Sequence, residues 1–163
     1  SLFEAIGNGA LDGGKVALIV GAMLITYIGL LAMINFVFNS IIGMTFTEIL
    51  GYVFAPVAFI MGIPTDELVR SGSIMGTKVA ANEFVAMLDF QKIIPNLTTK
   101  TVAIVSSFLV SFANFSSIGI IYGAVAAIDK KQSELFAKIG LKVLLVATLG
   151  SVLTGTIVGL FVR

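Results

Sequence analysis

The sequence contains no cysteine and no histidine, and only 12% of its 163 residues are charged. Without cysteine it has no disulfide framework and no thiolate chemistry. Without histidine it has no imidazole to act as a metal ligand, a general base or a pH switch. Typical soluble domains carry about 25% charged residues, so this chain has too little polar surface to be soluble. Its net charge of +1 provides no basic field for a nucleic-acid partner.

The residue types that are present offer few combinations that could catalyse a reaction. The missing residue types exclude Ser-His and Cys-His pairs. The charge-free stretches contain no facing acids for a membrane aspartyl protease, and no phosphate-binding loop or metal-ligand cluster occurs. We therefore expect a protein that is not an enzyme and that has neither a metal site nor a cofactor.

Long apolar stretches dominate the composition. Hydrophobic residues make up 58% of the chain, and the mean hydropathy is +1.08. Three stretches carry no charge at all, namely residues 16–38, 101–128 and 143–162. About 20 apolar residues in a helix cross a hydrocarbon core about 30 Å thick. The sequence therefore predicts an all-α, multi-pass integral protein of the plasma (inner) membrane, with the lipid bilayer as a partner.

Three spanning helices follow from these stretches. A scaffold helix with its lead-in is expected over 1–44, and a last helix over 136–163. The third span covers 100–128, where the charge-free part is longer than one straight crossing needs. Its centre, residues 111–119, is crowded with polar and small residues. We expect this span to be broken at mid-membrane.

Residues 45–64 are apolar but differ from a simple span. Thr45 and Glu48 have the spacing of a capping box, which marks a helix start. Glu48 and Pro56 make a membrane crossing the less favoured alternative, so we predict a helix lying at the membrane interface. Pro64 then ends this helix, and Thr65 is the expected N-cap of the next one.

Residues 65–92 contain two helical segments, 66–78 and 81–90, that are each too short to span a bilayer. Small residues cluster toward their junction, so we predict a re-entrant helical hairpin. Its tip is tolerated at membrane depth only where protein covers it or water reaches it. Hydropathy alone leaves an amphipathic loop outside the membrane equally open.

The lysines predict the orientation of the chain. Residues 129–142 contain four lysines, the densest basic connection in the sequence. The positive-inside rule places this connection in the cytoplasm, and Lys15 places the start of the first span there as well. The predicted hairpin then enters from the outer face.

Glu83, with Asn82 before it, is the first candidate for ligand binding. An acid inside the membrane is costly unless it is paired or solvated, so it is a functional candidate by default. The alternative is that Glu83 is merely solvated or is paired with Lys78.

Asn114 is the second candidate, with Phe112 and Ser117 near it in the broken span. A carboxamide in hydrocarbon must have its donors and its acceptor satisfied. Amide, hydroxyl and aromatic groups at mid-membrane suit a polar ligand that has an apolar part. The alternative is packing, because small residues such as Gly119 and Gly123 are ordinary at helix interfaces in membranes.

These motifs resemble the concentrative nucleoside transporters, most closely the bacterial members, along nearly the whole chain. The motifs that carry the resemblance are Gly76-Thr77-Lys78, Asn82-Glu83-Phe84-Val85-Ala86, Phe112-Ala113-Asn114-Phe115-Ser116-Ser117-Ile118-Gly119, Asn8-Gly9-Ala10 and Gly51-Tyr52-Val53-Phe54-Ala55-Pro56. The resemblance implies a trimeric secondary active transporter built from inverted repeats, of which this chain would be the second, C-terminal half. Because the chain also lacks a starting Met, we expect it to be a piece of a longer protein.

The resemblance also implies roles for the candidate residues. Glu83 would hold the ribose hydroxyls of a nucleoside substrate, with Asn82 beside it, and Asn114 and Ser117 would hydrogen-bond the nucleoside. Phe112 would line the pocket. Base recognition and the site of the coupling cation, sodium or proton, would belong mostly to the missing N-terminal half. The implied function is cation-coupled nucleoside uptake, and the alternative is a non-transporting membrane subunit whose polar residues only pack helices.

Overall fold

The computed structural model describes residues 1–162, apart from the side chains at positions 16, 19, 23, 127 and 128, and over that range it contains helices and no strand. The α-helices are α1 (Leu2–Ile42), α2 (Phe46–Ile60), α3 (Leu68–Ala80), α4 (Glu83–Ile93), α5 (Thr99–Leu109), α6 (Phe115–Ile128) and α7 (Lys130–Phe161). A short 3₁₀ turn, Ile94–Asn96, joins α4 to α5. The all-α fold class is confirmed.

Of the helices described, α1 and α7 are long and apolar enough to cross a membrane. Their lengths of 41 and 32 residues correspond to about 60 and 48 Å at 1.5 Å per residue. The lysine-rich connection is not a loop, since α7 already begins at Lys130. The Asp129 carboxylate caps this early start by accepting from the backbone N–H groups of Lys131 and Gln132.

The start of α2 follows the predicted capping box. The Thr45 hydroxyl accepts from the Glu48 N–H at 3.2 Å, and Glu48 accepts from the Thr45 N–H at 2.7 Å. The prediction that Thr65 caps the next helix is wrong, because α3 begins only at Leu68 after a turn closed by the Glu67 N–H on the Pro64 carbonyl.

Helices α2 and α3 pack with their backbones in contact. Gly51 and Gly72 face each other, and a Cβ on Gly72 would collide with the Gly51 carbonyl oxygen. This contact needs two residues without side chains. It fixes the first arm of the predicted hairpin along α2.

The main core joins the end of α2 to α3, α4, α5 and α7. It is built around Met61, Met75, Ile104, Phe108 and Phe90, all 4% exposed or less. Helix α7 packs against this core through Gly155 and Gly159. A Cβ at either position would collide with Met61 and would lie unusually close to Ile104.

Helix α1 stands beside this core. It contacts the start of α2, where the Asn35 Oδ1 accepts from the Thr47 N–H at 3.1 Å and Phe38 packs edge-on against Phe46.

Helix α1 also contacts the hairpin junction. There the α1 residue Leu31 meets Ala81 and Val85, which lie at the α3–α4 junction and on the first turn of α4. The junction is therefore enclosed between α1 on one side and the α5–α6 pair on the other.

Candidate functional site

The α3–α4 junction is a sharp turn that exposes the start of a helix. Helix α3 ends at Ala80, and Asn82 adopts an extended backbone with φ −163° and ψ 171°. The Asn82 side-chain oxygen accepts from the Val85 N–H at 2.9 Å, which makes Asn82 the N-cap of α4. Glu83 is then the first residue of α4, where the positive end of the helix dipole favours a carboxylate.

The break between α5 and α6 has the same local design. Residues 110–114 separate the two helices, overlapping the stretch 111–119 where the sequence predicts an interruption. Asn114 is extended, with φ −156° and ψ 168°, and its side-chain oxygen accepts from the Ser117 N–H at 2.8 Å. Asn114 therefore caps α6 as Asn82 caps α4, and each break presents a helix N-terminus.

A hydrogen bond between side chains joins the start of α4 to the start of α6. The Asn114 Nδ2 donates to Glu83 Oε2 at 2.5 Å, and Asn114 is fully buried. Both ends of the carboxamide are thus used, one on the α6 backbone and one on the hairpin. The alternative pairing of Glu83 with Lys78 is not found, because Lys78 Nζ donates to Ser111 Oγ at 2.8 Å.

A cavity of about 330 Å³ opens between α1 and the two helix starts. Of the predicted site residues it brings together Glu83, Asn82 and Phe112, which is 53% exposed. The cavity is lined by Val20, Leu24, Tyr27, Asn82, Glu83, Phe84, Phe112, Ser116 and Ile120. Its walls are apolar except at the hairpin tip, near Ser116 and at Tyr27.

Asn114 and Ser117 do not line this cavity. They lie behind it, beside a space of about 30 Å³ that faces α7. Ser117 is 3% exposed, and its hydroxyl has no hydrogen-bond partner in the part of the chain that the structure describes. A buried hydroxyl without a partner is costly, so this atom needs an explanation.

Tyr27 is a cavity residue that sequence reasoning missed. It brings a phenol from α1 to the wall of the cavity that Glu83 also lines. Its signal in the sequence is weak, because a single tyrosine in an apolar run is ordinary in a membrane helix.

A buried carboxylate, Glu67, ties the hairpin to the broken helix at the opposite end. Glu67 is 5% exposed and accepts from the Thr98 N–H at 2.8 Å. Burial raises the pKa of Glu67, but hydrogen bonds from Thr101 and Thr98 and the charge of Arg70 outweigh it, so the pKa lies below the ordinary 4.5. The sequence did not indicate that Glu67 is buried, because an acid shortly after Pro64 is typical of a helix start.

Three hydrogen bonds show how α3 and α5 lie side by side. They join Glu67 to Thr98, Lys78 to Ser111, and Glu83 to Asn114, at separations of 31, 33 and 31 residues. The near-constant separation means that both helices run in parallel toward the same end. The C-terminal ends of α3 and α5 therefore place the capped starts of α4 and α6 next to each other.

Comparison with known proteins identifies the family. The family described as "Na+ dependent nucleoside transporter C-terminus" matches residues 1–159. The purine nucleoside transport protein NupG of Bacillus subtilis is 38% identical over 162 residues, covering 98% of this chain and 41% of that protein. The nucleoside permease NupC of Helicobacter pylori is 38% identical over 170 residues, with the same coverage of 98% and 41%.

The solved structure of CNTnw in an inward-facing substrate-bound state has the same fold. It is 35% identical, with a TM-score of 0.92 over 99% of this chain and 40% of that chain. This chain spans about two fifths of the length of the curated relatives it matches. The predicted resemblance is confirmed: the chain belongs to the Na+-dependent, concentrative nucleoside transporter family, whose members are integral plasma-membrane transporters and not enzymes.

Proposed function

We propose that this chain supplies the ribose-binding half of a nucleoside site in a cation-coupled uptake transporter. The observation that carries the proposal is the hydrogen bond between Glu83 and Asn114 at two adjoining helix N-termini, on the edge of a cavity. The names of relatives support it, among them the human Sodium/nucleoside cotransporter 1, which is 28% identical over 181 residues.

The chemistry of Glu83 fits vicinal ribose hydroxyls. A carboxylate accepts two hydrogen bonds from neighbouring hydroxyl groups, and charge-assisted bonds are about twice as strong as neutral ones. The apolar walls around Phe112 and Phe84 suit the flat face of a base. Asn82 shapes the tip by capping α4, and Asn114 holds Glu83 in place.

The finer architecture belongs to the same proposal. The segment 65–92 is a re-entrant hairpin from the outer face, 100–128 is a broken span, 45–64 lies at the interface, and 1–44 and 136–163 hold the unbroken spans. An N-terminal half supplies base recognition and most of the site for the coupling cation, sodium or proton. The two halves form an inverted repeat, and the assembled transporter is a homotrimer.

Replacement of Glu83 tests the proposal. In the full-length parent, Glu83→Gln should reduce uridine uptake at least about tenfold, because the amide replaces one of the two acceptor oxygens with an NH₂ donor and loses the charge-assisted bonds. The measurement is initial uptake of labelled uridine into proteoliposomes under a cation gradient.

Asp89→Asn is the matched control for this experiment. It removes an acid from the same helix, but Asp89 is 45% exposed and forms an ion pair with Lys92. Its uptake should equal the wild type. Unimpaired uptake by Glu83→Gln would remove Glu83 from the site and favour the alternative, in which the polar residues only pack helices.

A further inference from the structure

A second cavity, of about 220 Å³, lies between α1 and the hairpin tip, beside the cavity that contains Glu83. We call it the side cavity. It is bounded by the phenol of Tyr27 and otherwise by apolar side chains, among them Leu30 of α1, Ala81 at the α3–α4 junction and Phe115 of α6. The proposed nucleoside site does not use this space.

Tyr27 stands between the two cavities. Along α1, the cavity that contains Glu83 extends from Val20 to Tyr27, and the side cavity extends from Tyr27 to Ile34. Among the described residues, Tyr27 is the wall that both cavities share. Its half-buried ring packs against the cluster that Leu31 forms with the hairpin tip. The ring is therefore held as a partition between the two spaces.

The same boundary is found on the hairpin and on the broken helix. Ala81 and Phe115 line the side cavity, whereas the residues that follow them, Asn82 and Ser116, line the cavity that contains Glu83. The two spaces are thus successive on all three elements. A group that extends from a ligand at Glu83 toward the side cavity would meet the partition first.

The volumes of the two cavities indicate what each could hold. The cavity that contains Glu83, at about 330 Å³, is near the lower end of the roughly 300–1,000 Å³ that small-molecule sites occupy. It leaves little room for a ligand much larger than a nucleoside. The side cavity, at about 220 Å³, exceeds the volume of about 150 Å³ at which an apolar cavity in a protein binds benzene. A phenyl group would therefore fit into it.

We propose that the side cavity is a subsite for a phenyl-sized apolar substituent of a nucleoside analogue, and that Tyr27 limits the size of the accepted nucleoside by closing this subsite off. The inference rests on the proposed function, because it takes the nucleoside itself to lie at Glu83. The class of substituent follows from the walls. Apolar side chains offer no hydrogen-bond partner, so a polar substituent would lose its hydration there without compensation.

Replacement of Tyr27 tests the subsite in the full-length parent. Calorimetry compares uridine with two analogues, one with a phenylethynyl group on the base and one with a benzyl group on the 5′ oxygen. The wild type should bind both analogues more weakly than uridine. In Tyr27→Ala, at least one analogue should gain about tenfold in affinity relative to uridine, which is the factor expected when a phenyl group becomes buried.

Three control variants separate size from other effects. Tyr27→Phe keeps the ring without the hydroxyl and should bind like the wild type. Tyr52→Ala removes a tyrosine that is 59% exposed on α2 and lines neither cavity, so it should leave all three affinities unchanged. Leu30→Trp, added to Tyr27→Ala, places a large ring in the side cavity and should cancel the gain.

The outcomes distinguish the subsite from the proposed function. If uridine binds but neither analogue gains in Tyr27→Ala, the subsite is overturned and the nucleoside function stands. A gain that survives Leu30→Trp also overturns the subsite, because the substituent then lies elsewhere. A wild type that does not bind uridine overturns the nucleoside function itself.

Tyr27→Val keeps the test decisive if Tyr27→Ala does not fold. Valine retains an apolar side chain against the hairpin tip but removes the ring, so the same analogue should gain in affinity by a smaller factor. Equal affinities of the analogues for Tyr27→Val and the wild type would contradict the size limit.

Discussion

Single buried polar residues in this chain work as bridges between elements that are distant in sequence. Glu83 reaches Asn114, Lys78 reaches Ser111, and Glu67 reaches Thr98. Glu83 was recognised in the sequence as an acid in a moderately apolar segment, whereas Glu67 after Pro64 was not. None of the three pairings could be predicted, because the partners lie more than 30 residues apart and hydrophobic periodicity carries no information about such pairs.

Substitution of Ser117 distinguishes a role in nucleoside binding from a role in helix packing. Its hydroxyl is buried and, among the described residues, unpartnered, so Ser117→Ala should leave the melting temperature unchanged or slightly raised. If the hydroxyl bonds the nucleoside, the same change should weaken uridine affinity about fivefold, or about 1 kcal/mol. Calorimetric binding and thermal melting of the full-length parent measure the two effects. A loss of stability with unchanged affinity would assign Ser117 to packing.

Glu67 should make the protein sensitive to acid. Its pKa is lowered in the folded protein, so its stabilisation is complete above the ordinary value of 4.5 and is lost as the pH falls through the lowered value. Glu67→Gln should lower the free energy of unfolding near neutral pH by about 1–3 kcal/mol, because the Thr98 donors lose a charged acceptor.

Thermal melting of the detergent-solubilised full-length protein against pH checks this. The difference between wild type and Glu67→Gln should shrink as the pH falls below 4.5 and through the lowered pKa of Glu67. Glu134→Gln is the control, since Glu134 is exposed on α7 and should change neither stability nor its pH dependence. An equal difference at all pH values would show that Glu67 acts by shape rather than by charge.

At the scale of helices, the α2–α3 contact is the most restrictive packing in the fold. Gly72→Ala should destabilise the protein by about 1–3 kcal/mol, because the added Cβ would meet the backbone of Gly51 and Ala55 rather than a flexible side chain. Thermal melting is the measurement.

Gly150→Ala provides the comparison for this change. Gly150 lies inside α7, and no atom of a neighbouring element lies within 4 Å of the place that an alanine Cβ would take there. Alanine is also a better helix former by about 1 kcal/mol, so the change should be neutral or stabilising. If Gly72→Ala melts like Gly150→Ala, the two helices can separate without cost.

The breaks between helices illustrate how much local sequence specifies. Asn82 and Asn114 each accept a hydrogen bond from the backbone three residues on, which is the ordinary behaviour of an asparagine N-cap. The polar and small residues around Asn114 predicted an interruption there. The N-cap at Thr65 was predicted by the same logic and is wrong, because the chain first closes a turn on Pro64.

For the whole molecule, the arrangement separates α1 from a body formed by the other helices. The core binds α2, α3, α4, α5 and α7 to one another, while α1 meets the hairpin tip through Leu31 and the start of α2 through Asn35 and Phe38. The main cavity lies along that boundary and includes Tyr27 from α1. In the proposed transporter, displacement of the body along α1 would carry Glu83 with it.

Composition by itself determined the environment and the class of this protein. Charge-free runs need a bilayer, and a backbone in lipid must satisfy its own hydrogen bonds, so helices follow without any tertiary information. Asn, Thr and Asp caps act over three residues and are equally local. Only the tertiary structure decided that α3 and α5 run in parallel, that Asn114 bonds Glu83 while Lys78 bonds Ser111, and that Tyr27 closes the cavity. The physical reason is that these contacts depend on how separate helices pack against one another, which the pattern along any one helix does not encode.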